Sequence, residues 1–198
     1  MKSPILPLIC TLLILTATTA LAQDTPPLGK SHFTLELDAM YIQHESFTTD
    51  DAGLYLGLAG YGHIGKNWYL GAEIGGGGGF GLFLVDTSSY MPIELNAKRA
   101  FALSKSFVID VGGGLSYSRV EFTHNSWFSD TDWSVSDWTF GGQVMSDIYY
   151  KAGSVLLGLK LKYQLTADLP EVASRISADD GWDYSNFKIG FQIGFMAF

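Results

Sequence analysis

From about His32 onward the chain alternates large apolar residues with small or polar ones at period two, the spacing of β-strands and one that no helix can use. The last stretch is the clearest: Phe187, Ile189, Phe191, Ile193 and Phe195 take every second place, and Lys188, Gly190, Gln192 and Gly194 fill the gaps. The pattern predicts seven more strands before it. The first runs over His32–Ile42, with Phe33, Leu35, Leu37, Ala39 and Tyr41 against Thr34, Glu36 and Asp38. After a polar connection, His44–Ala52, the second sets Leu54, Leu56 and Leu58 against Tyr55, Gly57, Ala59 and Tyr61. The turn Gly65-Lys66-Asn67 leads to a third from Trp68 into Gly75–Gly79, with Tyr69, Gly71 and Glu73 on its polar face. A connection over Asp86–Tyr90 precedes a fourth from Met91 to about Leu103, with Glu94, Asn96 and Lys98 on one face. The fifth starts at Phe107 and carries Asp110, and Ser118–Asp137 reads as a long irregular loop. The sixth, Trp138–Tyr150, carries Gln143 and Asp147; the seventh sets Val155, Leu157, Leu159, Leu161 and Tyr163 against Lys160, Lys162 and Gln164. An acidic loop, Asp168–Asp183, separates it from the eighth.

Charged residues that alternate strictly with large apolar ones need two environments. Lipid outside a closed barrel and a polar interior supply them, whereas a soluble sandwich reverses the arrangement. A one-residue slip of the seventh strand would put Lys160 and Lys162 into lipid at about 2–4 kcal/mol each, so its register is firmly set. The connections after strands two, four and six are short, and three of the other four are long, as expected of short periplasmic turns and longer external loops.

The N-terminus adds an export address. Lys2, an apolar run from Ile5 to Leu15 and Ala20-Leu21-Ala22 read as a cleaved signal over residues 1–22. A polar leader, 23–31, and a barrel domain, 32–198, follow. Cleavage takes away Cys10, the single cysteine, and leaves no thiol for a disulfide or a metal. It also leaves 11 Lys and Arg against 20 Asp and Glu, a formal charge of −9 that is unsuited to nucleic acid. Aromatics at 14% and 23 glycines fit a barrel with aromatic girdles. Gly76-x-Gly78-x-x-Gly81 spells a dinucleotide loop, but no helical period follows it, so it is read as curved sheet.

The C-terminal strand resembles the assembly signal of bacterial outer-membrane β-barrels, polar-x-Gly-x-x-apolar-x-aromatic near a terminal Phe, matched by Lys188, Gly190, Ile193 and Phe195, with Phe198 at the end. Phe198 is off the stripe that ends at Phe195, so Met196–Phe198 is expected to be a short periplasmic tag or to follow a bulge. In pattern and ending the mature chain is similar to small OmpA/OmpX-like outer-membrane proteins. That resemblance implies an all-β, eight-stranded antiparallel up-and-down transmembrane β-barrel in the bacterial outer membrane, inserted by the barrel assembly machinery. It implies a role in envelope integrity or surface interaction, with no enzymatic activity and no cofactor. Outer-membrane lipid and lipopolysaccharide are the expected surroundings, and a monomer the expected state.

A lumen of eight strands is just wide enough for side chains. The polar face should therefore form an ion-pair network from Glu36, Asp38, Glu73, Glu94, Lys98, Asp110, Asp147, Lys160, Lys162 and Lys188, with Lys188 meeting Asp38 or Glu36. The outer loops concentrate acids, among them Asp50, Asp51, Glu121, Asp137 and Glu171, a solvated face that could also take divalent cations or a basic partner, though no dedicated metal spacing is present. Two alternatives keep enzymatic chemistry open. His124 and Ser126 resemble the His-x-Ser of lipid A deacylases, and His44, Asp86 and Ser88 resemble the residue types of lipid A palmitoyltransferases. A further alternative is a narrow OmpW-like passage for small hydrophobic molecules.

Overall fold

The computed structural model describes residues 25–42, 51–79, 86–124, 133–176 and 183–197. The expected signal, His44, Ser126 and Phe198 lie outside these residues. Eight strands, β1 (Ser31–Ile42), β2 (Asp51–Gly65), β3 (Trp68–Gly79), β4 (Asp86–Ala102), β5 (Phe107–His124), β6 (Trp133–Ala152), β7 (Val155–Thr166) and β8 (Asn186–Ala197), form a closed barrel in sequence order. Every neighbouring pair is antiparallel, and β8 closes on β1. Closure is what a sheet needs in lipid, where an unpaired N–H or C=O costs several kcal/mol. The β2–β3 turn is tight, with Lys66 and Asn67 both at positive φ, as two-residue hairpins require.

The two faces separate as the alternation predicts. Leu95, Leu115, Phe140 and Phe191 point outward, Leu115 and Phe191 each 72% exposed, while Glu94, Lys98, Lys160 and Lys188 on the other parity have no exposure. Such an apolar exterior is stable only in lipid. Aromatic residues border it at both ends. At the outer end Tyr117 stacks on Trp138 with ring centroids 4.7 Å apart, and at the inner end Phe107 lies 5.3 Å from Tyr150.

Three sequence expectations are corrected. The segments read as loops over Asp86–Tyr90 and much of Ser118–Asp137 are strand: β4 starts at Asp86, β5 runs to His124 and β6 starts at Trp133. Above the lipid boundary the outward residues change from apolar to Glu121, Thr123, Ser134 and Ser136, so the contrast between faces fades although the ladder continues. At 20 residues, β6 far exceeds the ~9–11 that cross a membrane, and the β4–β5–β6 ribbon stands beyond the belt. Second, the acidic loop after β7 contains a helix, α1 (Pro170–Ile176). Third, Met196 and Ala197 are neither tag nor bulge: they continue β8 in register with His32 and Ser31, and Met196 is buried.

The β3–β4 ladder is interrupted between Ile74↔Ile93 and Gly77↔Tyr90, where Pro92 has no N–H to give. Gly75 faces inward beside this gap, and a Cβ there would stand 2.2 Å from the Tyr55 hydroxyl and 2.6 Å from the Leu56 carbonyl oxygen. Around Gly62, by contrast, a Cβ would meet nothing within 4 Å. Urea unfolding in phospholipid vesicles should therefore show Gly75→Ala destabilised by about 1–3 kcal/mol through overpacking. Gly62→Ala should be neutral or stabilising by less than about 1 kcal/mol.

Candidate functional site

Inward parity brings the lumen side chains into one buried layer. From β7, Lys160 pairs with Glu36 of β1 and, at 2.9 Å, with Glu73 of β3 on the opposite wall. Two residues on, Lys162 reaches Glu73 at 2.7 Å and Glu94 of β4 at 2.5 Å. The Tyr55 hydroxyl donates to Glu73 at 2.9 Å, and Gln143 donates to Glu94 at 3.1 Å and to Asn96 at 2.7 Å. A second centre lies nearer the inner end, where Lys98 pairs with Asp147 and stands 3.9 Å from Asp110. Gln192 donates to Asp147 at 2.8 Å, and the Lys98 ammonium lies 4.4 Å from the Tyr61 ring centroid.

Lys188 departs from its expected place. Its Nζ makes no ion pair with Asp38 or Glu36; it lies 3.8 Å from the Tyr55 ring centroid and 4.8 Å from that of Tyr90. The reason is steric and vertical. Lys188 is opposite Met40, one pair of residues nearer the outer end than Asp38, and its stem extends across the lumen over Tyr55. Asp38 packs instead against Gly190, its register partner, and neither Asp38 oxygen has a hydrogen-bond partner.

Both ends of this charged layer are capped. At the outer end Met40, Ile42, Tyr90, Val120 and Phe122 turn apolar side chains inward, and Leu169, Val172, Ala173 and Tyr184 from the β7–β8 connection are buried against them. Pro170 opens α1 where a missing N–H costs nothing, and the Asp137 carboxylate accepts the Glu171 N–H at 3.2 Å. Tyr184 stacks on Tyr90 at 5.2 Å and shares a 2.7 Å hydrogen bond with Ser88. At the inner end the leader folds under the barrel. Leu28 is fully buried; its N–H donates to the Tyr69 hydroxyl at 3.0 Å, and Lys151 donates to the Pro27 carbonyl at 3.1 Å. His32, stacked on Tyr61 at 5.0 Å, completes that plug. The polar leader is thus in part a stopper.

Three of the catalytic candidates, His124, Asp86 and Ser88, come to the outer end of β4 and β5. His124 ends β5 and stacks on Trp133 at 5.7 Å. Its register partner is Asp86, and Ser88 lies opposite Phe122. The Ser88 hydroxyl is engaged by Tyr184 and by the Gly79 N–H at 3.1 Å, so it serves the outer cap. His44 and Ser126 fall outside the described residues. Among the described residues, no group of three or more His, Cys, Asp or Glu is placed to hold a metal ion. Sequence reasoning passed over Tyr90, Tyr149, Gln192 and His32, all on inward parity, and the Leu169, Val172 and Ala173 spacing, which is that of one helical face.

No family model and no curated protein matches the sequence. Solved structures do match its fold. Neisserial surface protein A (NspA) aligns with a TM-score of 0.66 at 10% identity, over 85% of this chain and 98% of its own. A major outer membrane protein of Thermus thermophilus aligns at 0.54 with 9% identity, over 83% and 98%. Ail, the attachment invasion locus protein of Yersinia pestis, aligns at 0.51 with 12% identity, over 84% and 99%. At such identities what is shared is the architecture.

The bridged lysines make a stability prediction. Lys160→Met strips Glu36 and Glu73 of a shared counter-charge and should cost about 3–5 kcal/mol in urea unfolding from vesicles. Adding Glu36→Gln to it should restore part of the loss, because the orphaned carboxylate is then gone.

Proposed function

Starting from a small eight-stranded outer-membrane barrel of OmpA/OmpX-like fold, we propose that the protein is a non-enzymatic envelope component whose working surface is its acidic outer end. The observation that carries this reading is the filled lumen: a cross-braced charged layer between two caps leaves the barrel as an anchor, and what it offers to a partner is the ribbon above the lipid. That ribbon is polar on its outward face, with Arg119 and Glu121 paired at 3.3 Å and Ser134 donating to Glu121 at 3.1 Å. Envelope integrity and surface interaction both follow from such a part. Ail, the attachment invasion locus protein of Yersinia pestis, shares the fold and supports the second by analogy only.

In this reading outer-membrane lipid and lipopolysaccharide surround a monomer, and the barrel assembly machinery inserts it through the β8 signal. Against the lipid A-modifying alternatives stands the engagement of Ser88 in the cap, and against an open passage the paired lysines. Two measurements test the proposal. Lipid A mass spectra from cells with and without the protein should be identical, and the purified protein in planar bilayers should show no conductance steps. A change in acylation, or regular steps abolished by folding defects, would replace it with the enzyme or the channel.

A further inference from the structure

The charges outside the lumen are sorted by end. The described residues around the inner end, 25–31, 60–70, 99–109, 148–158 and 193–197, carry Lys30, Lys66, Arg99, Lys105 and Lys151 and no Asp or Glu. Lys30, Lys66 and Lys105 are exposed, while Lys151 is tied to the Pro27 carbonyl. Arg99 differs from all of these because it stands on the outer wall of the barrel. It lies between Lys98 and Ala100, both inward and without exposure, so it shares the outward parity of Leu95 and Ala97. Among the described strand residues, the other charges on that parity are Arg119 and Glu121, which pair with each other at 3.3 Å above the lipid boundary. Arg99 has no carboxylate in ion-pair reach among the described residues. Its Nε is buried without a hydrogen-bond partner, and the guanidinium carbon lies 5.3 Å from the centroid of the Phe101 ring.

The height of Arg99 on the wall determines what surrounds it. It is three residues from the end of β4 at Ala102, and its register partner on β3 is Trp68, the first residue of that strand, outward and 41% exposed. An outward tryptophan marks the level of the lipid head groups. A guanidinium at that level meets phosphodiesters, whose oxygens its planar fork can take two at a time. One outward position further into the membrane, the β4–β5 register pair is Ala97 and Gly113. These are small residues in a wall otherwise made of Leu70, Leu95 and Leu115, each more than half exposed. The wall is therefore shallow along the path of an acyl chain that descends from a head group at Arg99. We propose that Arg99, beside Trp68, is the head-group residue of a site for one anionic glycerophospholipid of the inner leaflet, with the phosphodiester on the guanidinium and an acyl chain over Ala97 and Gly113. The lysines of the inner rim, with no carboxylate among them, favour a head group of net negative charge over a zwitterionic one. This goes beyond the envelope role above and does not depend on it.

The test is native mass spectrometry of the folded protein in detergent, titrated with dioleoylphosphatidylglycerol. The first lipid should bind at least about tenfold more tightly than dioleoylglycerol, which has the chains without the phosphate, and at least about threefold more tightly than dioleoylphosphatidylcholine. Arg99→Gln should weaken it at least about tenfold, and Arg99→Lys by less. Ala97→Phe, which fills the shallow wall without touching a charge, should weaken it at least about threefold. Lys30→Gln removes the same charge from the inner rim away from β4 and should stay within about twofold of wild type. Sodium phosphate should displace no more lipid than sodium chloride of equal ionic strength. If Arg99→Gln fails to give the heat-modifiable folded form, Ala97→Phe and the ratio to dioleoylglycerol decide. Equal affinity for phosphatidylglycerol and either comparison lipid, or an unchanged Ala97→Phe, would overturn the assignment. So would equal losses in Arg99→Gln and Lys30→Gln, which indicate diffuse attraction to the rim, or specific displacement by phosphate, which indicates a free-ion site.

Discussion

The constraint on which this barrel depends is that charge placed inside eight strands cannot be left to water. The lumen is only as wide as its side chains, so an ammonium that leaves water is held best by carboxylates on the facing walls. Lys160 spans from β7 to Glu73 on β3, half the circumference away, and Lys162 reaches Glu94 on β4. Ladder hydrogen bonds join each strand to its neighbours; these ion pairs join strands that are not neighbours. Apolar packing of similar volume could match their stability. What it could not supply is a difference between faces. A strand apolar on both sides has no penalty for a one-residue slip, whereas β7 would carry two lysines into lipid.

That same difference between faces is why so much of the barrel could be read from the sequence. Wherever one face meets lipid and the other meets charge, as along β7 and β8, alternation assigns strand, facing and register together. Legibility fails where the contrast fails. Along Glu121–His124 and Trp133–Asp137 the outward face is already in water, so strand looks like loop. Inward Met40, Ile42, Val120 and Phe122 break the rule that inward means polar, so an inventory of polar residues overlooks the outer cap. The partner of a given lysine is a further step away. Parity placed Lys188 in the lumen, but whether its stem leans toward Asp38 or over Tyr55 depends on packing across the barrel that no single strand encodes.

The two ends meet the same problem with different parts. At the inner end residues 25–30 with Met196 close a layer of Tyr61, Tyr69 and Tyr149. The Tyr69 hydroxyl satisfies both Leu28 N–H and Gly29 C=O, so the stopper is tied by backbone bonds beyond its burial. At the outer end the closing element comes from the β7–β8 connection.

α1 is that element, and its size limits what it can be. Seven residues are too few for a helix to stand alone in water, where nucleation defeats segments below ~12–15 residues. It exists because Leu169, Val172 and Ala173 are buried on the inward layer and Asp137 caps its first turn. The helix and its seat are therefore one cooperative unit: whatever weakens the docking also melts the helix. An outer cap built this way is either in place or absent.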